Sequence, residues 1–307
     1  MTMLDENQYE KARQFLLKRG RKLEAALFAY EFEQGDPSEV YRQLAAFQNA
    51  DGGFGHGLEP DLRCEDSSAL ATTTAMQILT GMNERNTEMI ERAMQYFASS
   101  YMESRKGWDI IPKSAEESPR AFWWEYGAFE NNWGNPSAEI VGYLNQFPSS
   151  QSPEFTYQLN TYAVNYLNES CDLKEMHEMQ CYLRWADTLS EDAFNQVSGK
   201  LDEFVDNCII RNAEERQGYS GYPLMVVKSP QSRYYAKYAD VIPGDLDRMI
   251  EAQEEDGSWA PNWAWGRFDD IWEMNAKVEW QGVLTLNALR TFRNFGRLGE
   301  KVRIKEM

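Results

Sequence analysis

A closed double ring of helix hairpins, all α, is the fold this sequence predicts, and three observations predict it. Apolar residues recur at helical spacing almost throughout, strand patterns are scarce, and one seven-residue turn occurs twice. The turn reads "QNADGGF" at 48–54 and "QEEDGSW" at 253–259, 205 positions apart. Each copy is a Gln, two variable residues, Asp-Gly, a small residue and an aromatic. Roughly eleven or twelve helical segments of some two dozen residues each, connections included, suit such a ring better than a four-helix bundle.

The elements follow in order. In "GRKLEAALFAYEFEQGD", Leu23, Ala26, Leu27 and Tyr30 share one helix face. The helix "SEVYRQLAAFQ" runs to Gln48, where the first turn reverses the chain. Asp51 can bond its own downstream backbone there, and Gly52 and Gly53 permit positive φ. "SSALATTTAMQILTGMN" carries one long stripe from Ala71 to Met82, with Ser67 or Ser68 as N-cap and Gly81 or Asn83 as stop. The stretch 106–134 is long, aromatic and poorly periodic, which marks a functional loop or one folded over something. "NPSAEIVGYLNQF" starts on Asn135 as cap, with Pro136 at the first helical position and Glu139 in the first turn. "SSQSP" at 149–153 reads as a loop, and "GYPLMVVKSP", bracketed by Pro223 and Pro230, as a connector rather than a strand. The helical pattern is weak over 230–242. "PGDLDRMIEAQ" leads into the second turn, and "EWQGVLTLNALRTFRNFG" is the closing helix.

Composition bounds the function. The 307 residues are long enough for a sizeable core and are expected to form a single domain over 1–307. With 49 acids against 31 Lys and Arg, the formal charge of −18 argues against nucleic acid or an anionic membrane as partner. The apolar runs are far shorter than the ~20 residues of a spanning helix, and "MTMLDENQYEKARQ" has no signal-peptide core. Cys64, Cys171, Cys181 and Cys208 form no CxxC pair and read as reduced thiols, so a cytoplasmic protein is expected. Thirteen percent of residues are aromatic, ten of them Trp, and these rings fill either a core or a cavity lining.

With Gln and an aromatic at matched offsets around Asp-Gly, the chain resembles the α/α-toroid superfamily of terpenoid cyclases and protein prenyltransferases, with its Gln…Gly-x-Trp/Phe (QW) repeat. The Ser/Thr-bearing helix after each copy, "SSALATTTAMQIL" and "WQGVLTLNALRTFRNFG" with Thr285, extends the likeness over about the first 85 and last 65 residues. It implies an (α/α) toroid, with Gln48, Phe54, Gln253 and Trp259 fastening adjacent helices. It also implies an isoprenoid as substrate, in an aromatic central cavity. The motif names a fold better than a reaction, since other toroids host lyases and thioester proteins.

The chemistry of those families is only partly present. The class II DxDD acid is absent; the nearest stretch, "RFDDIWE", has Arg267 at its first position. The same stretch places Asp269, Asp270 and Glu273 at DDxxE spacing, where i and i+4 carboxylates on a helix face would admit Mg²⁺ and a diphosphate; no organic cofactor is expected. "HGLEPDLRCED" gathers His56, Glu59, Asp61 and Cys64, but not at a zinc prenyltransferase's Asp-x-Cys spacing. The thioester motif, a P-loop, GxGxxG after a strand and GxSxG are absent.

A carbohydrate-active enzyme is the alternative, with paired carboxylates as acid and base and Trp or Tyr as sugar platforms. Trp123, Trp124, Glu125, Tyr126, Glu130, Asn131, Asn132 and Trp133 supply such a palette, as do Trp263, Trp265 and the acids that follow them. A non-catalytic toroid that binds a peptide, lipid or glycan is the third reading, and across the readings a small molecule or oligosaccharide is the expected ligand. Asp269, Asp270, Glu273 and Glu125 are thus the candidate catalytic groups. His56, Glu59, Asp61, Trp124, Trp133, Trp263, Trp265 and Arg267 are the candidate substrate-binding groups. The segments after the two turns and "AFWWEYGAFENNWG" are expected to surround one opening.

Overall fold

In the computed structural model of the chain, residues 2–83 and 85–299 are described. Most of them are helical, and no β-strand forms among them, only isolated bridges. The helices are α1 Glu6–Lys18, α2 Lys22–Phe32, α3 Pro37–Ala45, α4 Ala69–Gly81, α5 Thr87–Ser100, α6 Gly134–Gln146 and α7 Pro153–Glu169. They continue with α8 Met176–Ala186, α9 Glu191–Asn195, α10 Ser198–Cys208, α11 Tyr235–Tyr238, α12 Ile242–Glu251, α13 Asp269–Ile271 and α14 Lys277–Asn294. The weak stretch 230–242 yields only the single turn α11, and Pro223–Met225 is a short 3₁₀ turn inside the expected connector. No described helix is long and apolar enough to cross a membrane. The four cysteines form no disulfide.

Local chemistry sets most boundaries. Ser68 caps α4 by accepting from the Ala71 amide at 2.9 Å, and Asp5 and Gln8 form a reciprocal capping box on α1. Asn135 has non-helical backbone angles, so the regular part of α6 begins at Pro136 as its sequence requires.

The chain divides into two compact units, Met1–Ala46 with Ile210–Met307 and Phe47–Ile209. In the second unit α6 is the central helix, buried along most of its length and packed chiefly on α8, with α7, α4 and α5 beside it. Trp108, Phe97, Tyr182 and Trp185 are the large rings of that core. In the first unit α14 packs on α1 and α2, and Phe28, Phe292, Trp259 and Trp265 fill the interior.

Each unit contains one copy of the repeated turn, and the two copies are built alike. In the second unit, Gln48 Nε2 donates to the Gly52 carbonyl at 2.9 Å and to Met89 O of α5 at 3.3 Å. Asp51 accepts from the Gly53 amide and the Ser67 hydroxyl, and the Phe54 amide donates to Thr72 Oγ1 of α4. In the first unit, Gln253 Nε2 donates to Gly257 O at 3.0 Å and to Gln8 O of α1 at 2.8 Å. Asp256 accepts from the Ser258 amide and hydroxyl, and the Trp259 amide donates to Thr285 Oγ1 of α14. The module is therefore a turn, a threonine-bearing helix and a third helix that receives the glutamine. In one copy the third helix, α5, follows in sequence; in the other it is α1, from the opposite end of the chain.

Arg297 secures that second copy. Its side chain is fully buried and donates to Thr2 O, Pro243 O and the Asp247 carboxylate, while Leu4 and Leu298 form a parallel bridge. The hydrogen bond from Arg297 holds the Asp247 carboxyl below the ordinary range, against the opposing pull of partial burial. A carboxyl depressed on folding contributes stability that is whole above about pH 4 and is lost as pH falls through its folded value. Asp247→Asn is therefore expected to lower the melting temperature at neutral pH and to flatten its fall in acid. Equal acid slopes for the variant and the parent would show that the pair does not carry the acid sensitivity.

Candidate functional site

Two of the expected segments meet in the second unit. The chain after the first turn is folded tightly, with His56 N bonded to Cys64 O at 2.8 Å. It pairs with the 119–121 segment through a Leu62–Arg120 bridge, Arg63 N to Pro119 O at 3.0 Å and Ala121 N to Asp61 O at 2.9 Å. Glu59 and Asp61 are buried beside this pairing, whereas His56 stays exposed and bonds Asn49 Oδ1 at 2.8 Å. Arg120, itself buried, organises the middle segment. Its guanidinium donates to the carbonyls of Glu116, Ser118 and Trp124 and to Glu125 Oε2 at 2.8 Å. Glu125, expected to be catalytic, is thus ion-paired with Arg120 and keeps its side chain partly exposed. Trp124 packs on Phe129 at 5.5 Å and is buried.

In the first unit, "DDIWE" is not one regular α-helical turn. Phe268 is left-handed, Asp269–Ile271 is a single turn, and Trp272–Ala276 winds as a π-helix. Asp269, Asp270 and Glu273 are all exposed, and Glu273 pairs with Lys277 at 2.8 Å. Among the described residues only Cys171, Asp172 and Glu178 bring three potential ligand atoms within 4.8 Å of one another. Glu178 is already bonded there by the Gly134 amide at 2.7 Å and Asn132 Nδ2 at 3.0 Å. Burial, reinforced by Glu178, pushes the Cys171 thiol up to about 12, so it is protonated at neutral pH. Trp265 is fully buried against Trp272, and Arg267 lies over the neighbouring Phe268 ring at 5.7 Å. Trp263 is half-buried between Tyr219 and Trp280.

The residues that do line an open cleft lie around Trp133. Its indole N–H donates to Lys106 O at 3.0 Å, and its ring, 5% exposed, forms the cleft floor beneath Tyr162 at 5.0 Å and Tyr166 at 5.5 Å. Tyr162 and Tyr166 stack on each other at 6.2 Å, one turn apart on α7. The Tyr166 hydroxyl donates to Asn131 O at 2.7 Å, which ties loop 130–133 to the helix; burial pushes that phenol up to about 12. The cleft measures about 690 Å³, within the range of small-ligand sites. Arg105, Glu130, Asn131, Asn132 and Asp172 add polar groups to its walls, and Arg105 pairs with Asp109 at 2.6 Å. Sequence reasoning pointed to the loop half of this cleft but missed Tyr162, Tyr166 and Asp172. The i, i+4 tyrosines in "YAVNY" were the legible cue.

Comparison of the chain with models of known families, with curated proteins and with solved structures finds no match.

Proposed function

We propose that this chain is an (α/α) toroid that binds a neutral oligosaccharide in the Trp133–Tyr162–Tyr166 cleft. The toroid rests on the module built twice, with α1 serving the last copy as α5 serves the first, which is how a circular array of helix hairpins closes. The carbohydrate reading rests on the cleft itself: an aromatic floor and wall, ringed by amides, hydroxyls and acids, in a space of about 690 Å³. Tyrosine faces pack on the apolar faces of sugar rings, and Asn131, Asn132, Glu130 and Asp172 bond their hydroxyls. Arg105 is compensated by Asp109, so the cleft acids and the chain's charge of −18 select against an acidic glycan. The isoprenoid reading draws on the repeated turn alone. Two of the rings it needs as cavity walls, Trp124 and Trp265, are buried.

Titration calorimetry with neutral cello-, malto- and chito-oligosaccharides tests this. Saturable binding is expected for at least one, weakened about tenfold or more by Tyr162→Ala through the lost stacking face. Absence of sugar binding at millimolar concentration, together with a Mg²⁺-dependent thermal shift by an isoprenoid diphosphate, would replace this function with the prenyl one.

A further inference from the structure

We propose that Cys171, Asp172 and Glu178 form a binding site for one zinc ion at the edge of the cleft in the second unit. The site shares Asp172 with the cleft but rests on no part of the oligosaccharide reading. Cys171 and Asp172 follow α7, and the chain then turns at Leu173, which is left-handed with φ of 56°. Glu178 stands in the first turn of α8. Together they bring one sulfur and two carboxylate oxygens within 4.8 Å of one another. Around a tetrahedral zinc, with bonds of about 2.3 Å to sulfur and about 2.0 Å to oxygen, a sulfur and an oxygen stand about 3.5 Å apart. Cys171 Sγ lies 3.6 Å from Glu178 Oε2. Asp172 is exposed and lines the cleft, which gives an ion a path in from solvent.

The charges call for a cation. Glu178 is fully buried, yet neither it nor Asp172 pairs with a Lys, Arg or His among the described residues. Two carboxylates this close, one of them out of water, repel each other until a cation joins them. Glu175, which caps α8 and pairs with His177, adds to the negative field at Glu178. Burial and the same three carboxylates raise the thiol of Cys208, on the adjoining α10, to about 12. Glu178 is also held as a metal ligand is held. Asn132 Nδ2 and the Gly134 amide donate to its two oxygens at 3.0 and 2.7 Å, which fixes the carboxylate and leaves each oxygen a further acceptor site. The thiol selects zinc over magnesium or calcium, since those hard ions take oxygen ligands. As the zinc–sulfur bond forms, the Cys171 thiol gives its proton to solvent. Three protein donors leave one position of the ion for water.

The test uses the full chain, reduced and stripped of metal. In calorimetric titration Zn²⁺ is expected to bind saturably, one ion per chain, and about a hundredfold excess of Mg²⁺ or Ca²⁺ is expected not to displace it. Co²⁺ in its place is expected to give the near-ultraviolet charge-transfer band of a thiolate ligand, and Cys171→Ser is expected to abolish that band. Asp172→Asn is expected to weaken Zn²⁺ binding at least about tenfold. Asp172 is exposed, so Asp172→Asn remains an informative variant should Cys171→Ser misfold, and circular dichroism checks both. A Co²⁺ band unchanged in the Cys171→Ser variant would move the ion to another thiol and overturn the site. Displacement by Mg²⁺ or Ca²⁺ would reduce it to an acidic patch. No Zn²⁺ binding, or binding unaltered by Asp172→Asn, would also overturn the proposal.

Discussion

Gly52→Ala and Gly257→Ala are each expected to cost about 4 kcal/mol, close to the upper limit for a single substitution. Both glycines have φ of +92°, where a side chain is strained. Both also sit against the backbone of the third helix of their module. A Cβ on Gly52 would lie 2.1 Å from Arg92 O of α5, and one on Gly257 would lie 2.3 Å from the Lys11 carbonyl carbon of α1. Neither neighbour is a flexible side chain, so relief requires moving a helix. The flanking glutamine bonds to Met89 and Gln8, three residues before those contacts, would be lost with the movement. Gly199 in α10 is the control. A Cβ there meets nothing within 4 Å, so Gly199→Ala should add up to about 1 kcal/mol through helix propensity. Urea unfolding midpoints decide the matter. A Gly257→Ala variant as stable as the parent would show that the turn does not fasten α1.

Glu139→Ala is the second large effect, at about 3 kcal/mol. The Glu139 carboxylate is buried in the second unit and accepts from Gln77 Nε2 at 2.9 Å, the Tyr143 hydroxyl at 2.6 Å and Arg184 at 3.1 Å. Burial, with the carboxylate adding to it, pushes the Tyr143 phenol well above its usual range, so Tyr143 remains a donor. Removing the acceptor takes a partner from four donors on α4, α6 and α8 in one operation, the Cys181 thiol at 3.6 Å included. Glu139→Gln keeps an oxygen for one of them and is expected to lose about half as much. Thermal denaturation of the two variants separates the cases; equal losses would assign the cost to packing, not to the stranded donors.

Several sequence cues were sufficient because their physics is local. Ser68 as cap, Pro136 as the first regular residue of α6 and the Asp-Gly geometry of both turns depend on bonds spanning a few residues. The candidate site was legible only in part. The loop 106–134 announced itself by length and rings, and Trp133 within it does reach the cleft. The acid motif "DDIWE" lies where the chain winds a π turn, which its spacing alone does not announce. The bond from Arg120 to Glu125, five residues on, depends on the loop's fold and is not announced by the sequence.

By itself the sequence determined an all-α chain, the positions of most helices and a turn used twice, since periodicity and turn chemistry act over short separations. Tertiary structure alone decided which helix each turn would grip. Gln253 could not reveal from sequence that its partner is Gln8, 245 residues away. The same holds for the cleft, where a loop residue, Trp133, and two residues of α7 become one surface only after packing. Contacts between distant segments depend on the sum of many weak packing energies, which no short stretch of residues encodes.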